Sequence, residues 1–149
     1  MTTIRRATAA DAAALAALRW EWRCERRVPA EPYDAFVAAF ADWQRAHVAT
    51  HTAYVAEAGG EVVGMAWLAA VARAPNPDEH DRCHGDVQSV YVRPAHRDGG
   101  TGTRLVEALV ADARARGMDH LTVHSGTRSL PVYARLGFAP FDRLLTKDL

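Results

Sequence analysis

One segment, between Val87 and Arg116, constrains the fold more than any other part of the chain. Residues 87–92 form a β-branched and aromatic run that is typical of a buried strand, and Pro94 ends it because proline lacks the ladder donor. Three glycines then surround the predicted start of a helix at about Thr101. A loop of this kind presents unpaired backbone N–H groups at the positive end of a helix. The segment therefore predicts a binding site for a phosphate or pyrophosphate group.

The spacing of these glycines excludes two common phosphate-binding motifs. A Walker A loop ends in Gly-Lys-Ser/Thr, and the run Gly102-Thr103-Arg104 supplies no lysine. A dinucleotide fingerprint needs a third glycine at a fixed offset, directly after a strand. Here that glycine is missing, and seven residues separate the end of the strand from Gly100.

The loop Arg97-x-x-Gly100-x-Gly102 instead resembles the acyl-CoA pyrophosphate loop of the GCN5-related N-acetyltransferases, whose pattern is Gln/Arg-x-x-Gly-x-Gly/Ala. The resemblance extends to the preceding strand, residues 88–94, and to the later segment Tyr-Ala-Arg-Leu-Gly-Phe at 133–138. It covers the C-terminal half of the chain well and the N-terminal half only through the order of predicted elements. It implies a single domain over residues 1–149 that moves an acetyl group from acetyl-CoA to a primary amine of a small molecule or peptide, directly within a ternary complex.

The resemblance also implies where acetyl-CoA binds. The backbone N–H of Val90 would polarise the thioester carbonyl, and the backbone of Val92 would hold the pantetheine arm. The pyrophosphate would lie on the loop and the first turn of the helix, formed by Arg97, Asp98, Gly99, Gly100, Thr101, Gly102 and Thr103. No metal is implied.

The chain departs from the family pattern at two places. Asp98 and Gly99 occupy positions where a glycine and a basic residue are usual, and a carboxylate beside pyrophosphate is unfavourable. Either the arginines at 97 and 104 compensate, or Asp98 points outward and caps the helix. The second departure is Gly126, where an asparagine that contacts the cofactor is common; Ser125 or Ser129 are the candidates to replace it.

The catalytic groups are assigned through the same resemblance. Tyr133 occupies the tyrosine position of the family, and a phenol suits protonation of a leaving thiolate. Asp86 is the first candidate for the base, because many relatives carry an acidic residue on this strand. His84, His124 and an ordered water chain remain open alternatives, since an imidazole can take a proton near neutral pH.

Composition limits the remaining function classes. The 18 basic and 18 acidic side chains balance, so no global charge favours nucleic acid or an anionic membrane surface. No apolar run approaches the roughly 20 residues of a membrane span, and no signal peptide is apparent, so a cytoplasmic protein is expected. Cys24 and Cys83 do not form a disulfide framework, and the group His80, Cys83 and His84 lacks the ligand pairing of a metal site.

The element order predicts an α/β fold, with a mixed, mostly antiparallel twisted sheet and helices on both faces. The order is β-α-α-β-β-β-α-β-α-β, with a hairpin at Gly59-Gly60 and a final strand or strand pair over residues 138–146. The apolar residues of that last segment could close the core of the domain or form a homodimer contact: Phe138, Phe141, Leu144 and Leu145.

The acceptor is less defined by the sequence. Trp22, Tyr33 and Phe36 belong either to the core or, as the resemblance implies, to an acceptor pocket formed by the first two helices. Acidic residues in the loop 72–85 could attract a cation or simply face solvent. Two other functions remain as alternatives, a non-catalytic acyl-CoA-binding or sensing module and, far behind it, a nucleotide-binding protein.

Overall fold

The structure, a computed structural model, describes all 149 residues. Its strands are β1 (Thr2–Arg6), β2 (His51–Ala58), β3 (Glu61–Ala72), β4 (Cys83–Val92) and β5 (Leu121–Val123). Its α-helices are α1 (Ala12–Cys24), α2 (Tyr33–Ala46), α3 (Thr101–Ala115) and α4 (Leu130–Arg135). The strands form one sheet in the order β1-β2-β3-β4-β5, antiparallel except for the parallel pair β4 and β5. The predicted mixed, mostly antiparallel α/β fold is confirmed.

Helices cover both faces of the sheet because side chains alternate between the two faces along each strand. On one face, Leu15 and Leu18 of α1 pack with Met65 and Trp67 of β3. On the other face, a core of α3 and sheet residues includes Leu105 and Leu109, which are fully buried. The apolar residues of α1 and α3 therefore lie on the faces that these helices bury against the sheet.

The Gly59-Gly60 hairpin joins β2 and β3 as predicted. The two glycines have φ of 58° and 81°. A type I′ turn requires positive φ at both central positions, which glycine adopts without steric cost. This turn fixes the pairing in which Ala58 lies opposite Glu61.

The strands β4 and β5 diverge at a bulge in the middle of β4. Gln88 pairs with Trp67 of β3 and Tyr91 pairs with Met65, so two residues of β4, Ser89 and Val90, oppose a single residue of β3. Ser89 has a φ of 53°, which bends the strand locally. Pairing between β4 and β5 ends at Val87 opposite Val123. Beyond that pair, β4 presents backbone to the space between the two strands.

The prediction of a final strand or strand pair over residues 138–146 is wrong. Only Phe138 packs back on the domain, against the ring of Tyr133 at 5.4 Å between centroids. Phe141, Leu144 and Leu145 are exposed and do not close the core. Pro140 explains the difference, because proline interrupts the ladder that a strand in this segment would need. None of the helices has the length and apolar character needed to cross a bilayer.

Candidate active site

A cleft of about 630 Å³ lies where β4 and β5 diverge. The bulged end of β4 forms one wall, and the segment from Val123 to Arg135 forms the other. The loop before α3 and the first turn of that helix close one end. Every predicted cofactor-binding residue lines the cleft except Gly99: Val90, Val92, Arg97, Asp98, Gly100, Thr101, Gly102 and Thr103.

The N-terminus of α3 has no side-chain cap. Gly100 occupies the N-cap position with a φ of 78°, and no side chain hydrogen-bonds to the first turn. The first backbone N–H groups of a helix have no partner within the helix and carry partial positive charge. Because the first turn, residues 101–103, lines the cleft, these N–H groups can receive an anion such as a pyrophosphate.

Asp98 does not cap α3, contrary to one of the two alternatives left open by the sequence. It lines the cleft, and its carboxylate takes part in no ion pair. Its φ is 64°, in the left-handed region that glycine adopts most easily. The backbone thus explains why a glycine is usual at this position, and the aspartate adds negative charge to the site.

Arg97 has structural partners inside the cleft wall. Its Nε donates to the Val92 carbonyl oxygen at 2.7 Å, and Nη2 donates to Glu25 Oε1 at 2.6 Å. Although the surroundings of Glu25 remove water from its carboxyl group, hydrogen bonds from Arg97 and Tyr91 hold its pKa below the ordinary value. Arg97 therefore ties the loop to β4 and to the end of α1.

Of the two arginines considered as compensation for Asp98, Arg97 lines the cleft and is paired with Glu25, whereas Arg104 does not line it. Arg104 points away from the cleft and donates to the carbonyl oxygen of Thr2 at 2.7 Å. Besides Arg97, three further arginines line the cleft: Arg26, Arg128 and Arg135. They come from the end of α1 and from the segment after β5, so no short sequence motif connects them with the glycine loop.

Tyr133 lies at the cleft with its ring buried. It is 7% exposed, packs in the α3 core and lines the cleft beyond the end of β5. Burial raises the pKa of its phenol above the ordinary value of 10. The hydroxyl group is therefore protonated at neutral pH and can donate its proton.

The three candidate bases lie in different surroundings. Asp86 is not part of the cleft wall: its oxygens accept hydrogen bonds from Thr122 Oγ1 at 2.8 Å and Gln88 Nε2 at 2.9 Å. His84 is also outside, stacked on His120 with 4.9 Å between ring centroids, and burial lowers its pKa. His124 is exposed and lines the cleft. Of the three, only His124 shares the cleft with Tyr133.

Ser125 and Ser129, the two candidates to replace the missing asparagine, both line the cleft. Gly126, which occupies the position of that asparagine, lines it as well. Ser125 Oγ donates to the Gly126 carbonyl oxygen at 2.8 Å. The structure brings no three His, Cys, Asp or Glu side chains together in an arrangement that could hold a metal ion.

A second pocket adjoins the cleft, and we call it the helical pocket. It has a volume of about 430 Å³ and lies between the C-terminal half of α1, the connection that follows it and the start of α2. Trp22 lines both this pocket and the cleft. Phe36 lines the helical pocket as the resemblance implied, whereas Tyr33 does not; Trp20, which the sequence did not single out, takes part instead.

Comparisons with known proteins agree with this geometry. Residues 14–138 match the Acetyltransferase (GNAT) family. The chain is 29% identical over 113 residues to a glucosamine 6-phosphate N-acetyltransferase of Trypanosoma brucei brucei, an alignment that covers 76% of this chain and 75% of that protein.

Solved structures show the same fold. A crystal structure of an acetyltransferase of Clostridium acetobutylicum with acetyl-CoA superposes with a TM-score of 0.81 at 21% identity, covering 99% of this chain and 96% of that one. An acetyltransferase of Trypanosoma brucei superposes with a TM-score of 0.76 at 25% identity over 100% of both chains. With the family matched over most of its length, this chain belongs to the Acetyltransferase (GNAT) family, and its activity is acetyl-CoA-dependent N-acetylation.

Proposed function

We propose that the chain transfers the acetyl group of acetyl-CoA directly to a primary amine of a small molecule, within a ternary complex. The observation that carries this proposal is the combination, in one cleft, of an uncapped helix N-terminus, a diverging pair of strands and the Tyr133 phenol. The curated relative named for an amino sugar phosphate supports a small-molecule acceptor over a peptide.

The divergence of β4 and β5 supports a role for the backbone of β4. Val90 is paired in register with neither β3 nor β5, so its N–H is a suitable donor to a thioester carbonyl. The Val92 carbonyl already accepts from Arg97, which leaves the rest of the Val92 backbone to contact the pantetheine arm. The first turn of α3 would hold the pyrophosphate. Acetyl-CoA supplies an activated acyl carbon and a thiolate leaving group.

Tyr133 is proposed as the general acid. The amine nitrogen forms a bond to the acyl carbon, the carbon–sulfur bond breaks, and the phenol gives its proton to the departing sulfur. Its raised pKa keeps this proton in place at neutral pH. The proton that the amine loses passes to a base, and the phenol recovers its proton from solvent.

For the base, the geometry supports His124 over Asp86. His124 faces the cleft, whereas the Asp86 carboxylate is held by two hydrogen bonds outside it. We propose that Asp86 is a positioning residue: through Thr122 it fastens β4 to β5 immediately before the strands diverge. A water chain from Asp86 to the cleft is the competing assignment.

The proposal is tested first by thermal shift with acetyl-CoA, coenzyme A, ATP and NAD, followed by an assay of coenzyme A release with a panel of amines. A ligand that binds only the folded protein adds about 2.7 kcal/mol of stability at one hundred times its dissociation constant. We expect stabilisation by acetyl-CoA and coenzyme A, turnover of an amine, and a loss of about 10²-fold or more in kcat for Tyr133→Phe. Unchanged kcat in that variant would remove Tyr133 from the mechanism.

The alternative from the sequence, a non-catalytic acyl-CoA-binding module, gains no support from the Asp98 carboxylate in the cleft, because that charge opposes binding of the pyrophosphate and not acetyl transfer. It predicts stabilisation by acetyl-CoA without transfer to any amine of the panel, and no effect of Tyr133→Phe. Stabilisation by ATP or NAD but not by coenzyme A would contradict both candidates.

A further inference from the structure

The helical pocket carries three arginines that no carboxylate neutralises. Arg19, Arg23 and Arg27 line it, and none of them takes part in an ion pair. Glu31 is the only acidic residue in the lining, so positive charge is in excess. Because residues four apart share one side of a helix, the arginines at 19 and 23 lie close together and repel each other.

Arg19 is the most unusual of the three. It is half-buried, and its single hydrogen bond goes to the hydroxyl oxygen of Ser89, an uncharged acceptor. Its guanidinium lies 4.8 Å from the centroid of the Trp22 ring. Burial, together with the charge of Arg23, lowers the pKa of Arg19. A cation withdrawn from water without a counter-ion is costly, and an anion in the pocket would remove that cost.

We propose that the helical pocket binds an anionic group of the acceptor, so that the acceptor is a small primary amine that also carries a phosphate or carboxylate group. This inference rests on the proposed function and specifies its substrate class. The guanidinium groups of Arg19 and Arg23 present planar forks of donors that match the oxygens of either anion.

The position of Arg19 connects this pocket with the reacting end of the cleft. Ser89, its hydrogen-bond partner, lies on the bulge of β4 and lines the cleft beside Val90. An anionic group held by Arg19 would therefore lie close to the bulge of β4, one residue from the Val90 N–H. Trp20 and Phe36, with 5.8 Å between their ring centroids, provide an apolar surface for the carbon skeleton between the two polar ends.

The location of the arginines near the C-terminal end of α1 offers a purely structural explanation for part of the cluster. Cations are favoured at that end by the helix dipole. This accounts for Arg23 and Arg27, which are exposed. It does not account for Arg19, which lies further from the helix end and turns its charge inward.

Direct binding tests the inference without requiring turnover. The protein is first saturated with coenzyme A, which occupies the phosphate sites of the cleft, and is then titrated by calorimetry with ethanolamine, O-phosphoethanolamine, β-alanine, glucosamine and glucosamine 6-phosphate. We expect the anionic amines to bind at least tenfold more tightly than their neutral counterparts. The phosphate and carboxylate probes separate the two possible anions.

Variants assign the effect to the pocket. Arg19→Gln and Arg23→Gln should each remove most of the preference for anionic amines and raise their KM about tenfold, with kcat changed far less. Stabilisation by acetyl-CoA should be unchanged. Arg114→Gln, an exposed arginine on α3, is the matched control and should behave like the original chain.

The outcomes separate this inference from the proposed function. Equal binding of neutral and anionic amines, or a preference that survives both Arg19→Gln and Arg23→Gln, would overturn the inference, even if acetyl transfer occurs. An arginine-dependent preference in binding supports it, even if no amine is acetylated and the proposed function fails.

Discussion

At position 98, one side chain opposes the function of the loop that contains it. Asp98 holds a left-handed backbone conformation at the edge of a site built for phosphate oxygens. Aspartate tolerates this conformation better than most residues, although less well than glycine. Its carboxylate lowers the positive potential at the N-terminus of α3. Arg26, Arg128 and Arg135, which come from other parts of the chain, add positive charge to the same cleft.

Replacement of Asp98 should therefore strengthen binding of coenzyme A. We expect Asp98→Gly to lower Kd about two- to fivefold, since one exposed charge near an anion is worth about 0.5–1 kcal/mol. Asp98→Asn separates charge from backbone, because asparagine also tolerates positive φ. If both variants bind more tightly, the charge is responsible; if neither does in calorimetric titration, the electrostatic argument is wrong.

Single substitutions also test whether His124 or Asp86 is the general base. A base must be unprotonated to act, so kcat/KM should rise with pH through the pKa of the base. We expect His124→Asn to remove this acidic limb and to lower kcat about 10²-fold, whereas Asp86→Asn retains the limb. Burial raises the pKa of the Tyr133 phenol above its ordinary value, so we expect no fall in rate from loss of this proton near neutral pH. Loss of the acidic limb in Asp86→Asn instead would restore Asp86 as the base.

Among the elements, the short pairing between β4 and β5 positions the cleft. Only three residue pairs join the two strands, from Gly85 opposite Leu121 to Val87 opposite Val123. Gly85 allows this contact because a Cβ atom there would lie 2.5 Å from Leu121 Cδ2 and 2.7 Å from Leu68 Cδ1. The close approach of β5 at Gly85 and its separation beyond Val87 together open the cleft.

Gly85→Ala should therefore destabilise the fold by about 1–3 kcal/mol, because the added methyl group overpacks the junction. Gly126→Ala is the control, since a Cβ at that position meets nothing within 4 Å. Chemical denaturation of the three proteins measures the difference. Equal stability of the Gly85→Ala variant and the original chain would show that the Leu68 and Leu121 side chains move aside without cost.

The junction of β1 and α1 depends on an ion pair that pH can remove. Asp11 Oδ1 lies 2.8 Å from Arg5 Nη2, and Oδ2 accepts from the Thr8 N–H at 2.7 Å. The Arg5 hydrogen bond, opposed by burial and assisted by Thr8, lowers the pKa of Asp11 from 3.8 to about 2. Since the folded-state pKa is the lower one, the stabilisation is complete above about pH 4 and is lost as the pH falls towards 2.

Asp11→Asn should cost about 1–2 kcal/mol of unfolding free energy at pH 7, after allowance for the partial exposure of Arg5. The difference from the original chain should shrink between pH 4 and pH 2. Asp42→Asn, which removes an exposed pair with Arg45, is the control and should change stability by less than about 0.5 kcal/mol. A constant deficit of Asp11→Asn across this pH range would contradict the role assigned to the ion pair.

At the scale of the whole molecule, the segment after α4 exposes apolar side chains that contact no core of the same chain. Phe141, Leu144 and Leu145 are 64%, 61% and 86% exposed. Adjacent exposed apolar side chains often mark a contact surface. The alternative in which they close the core of their own domain does not hold, so a homodimer contact is the remaining proposal.

We expect the chain to sediment as a dimer at micromolar concentration, and the double variant Leu144→Ser, Leu145→Ser to sediment as a monomer with unchanged unfolding midpoint under dilute conditions. Analytical ultracentrifugation over a range of concentrations makes the comparison. A monomeric original chain at high micromolar concentration would contradict the proposal.

The sequence alone determined the features that depend on neighbouring residues. The hairpin at Gly59-Gly60 and the start of α3 at Thr101 follow from local turn chemistry and the glycine-rich loop, and the structure confirms them. The family assignment rested on a loop and a strand that are contiguous in the chain. Among the predicted helices and strands, only the final strand is wrong, because the proline at 140 outweighs the apolar residues around it.

Tertiary structure decided which side chains meet. Arg26 and Arg128 are far apart in sequence yet line one cleft, while Arg104, which directly follows the glycine loop, turns to β1. The sequence placed Asp86 ahead of His124 as the base, but it could not show which of them faces the cleft, because the bulge in β4 and the end of the β5 pairing determine that. The spacing of residues along the chain determines local conformation. The direction of a side chain across a sheet or between helices depends on how the folded elements pack against each other.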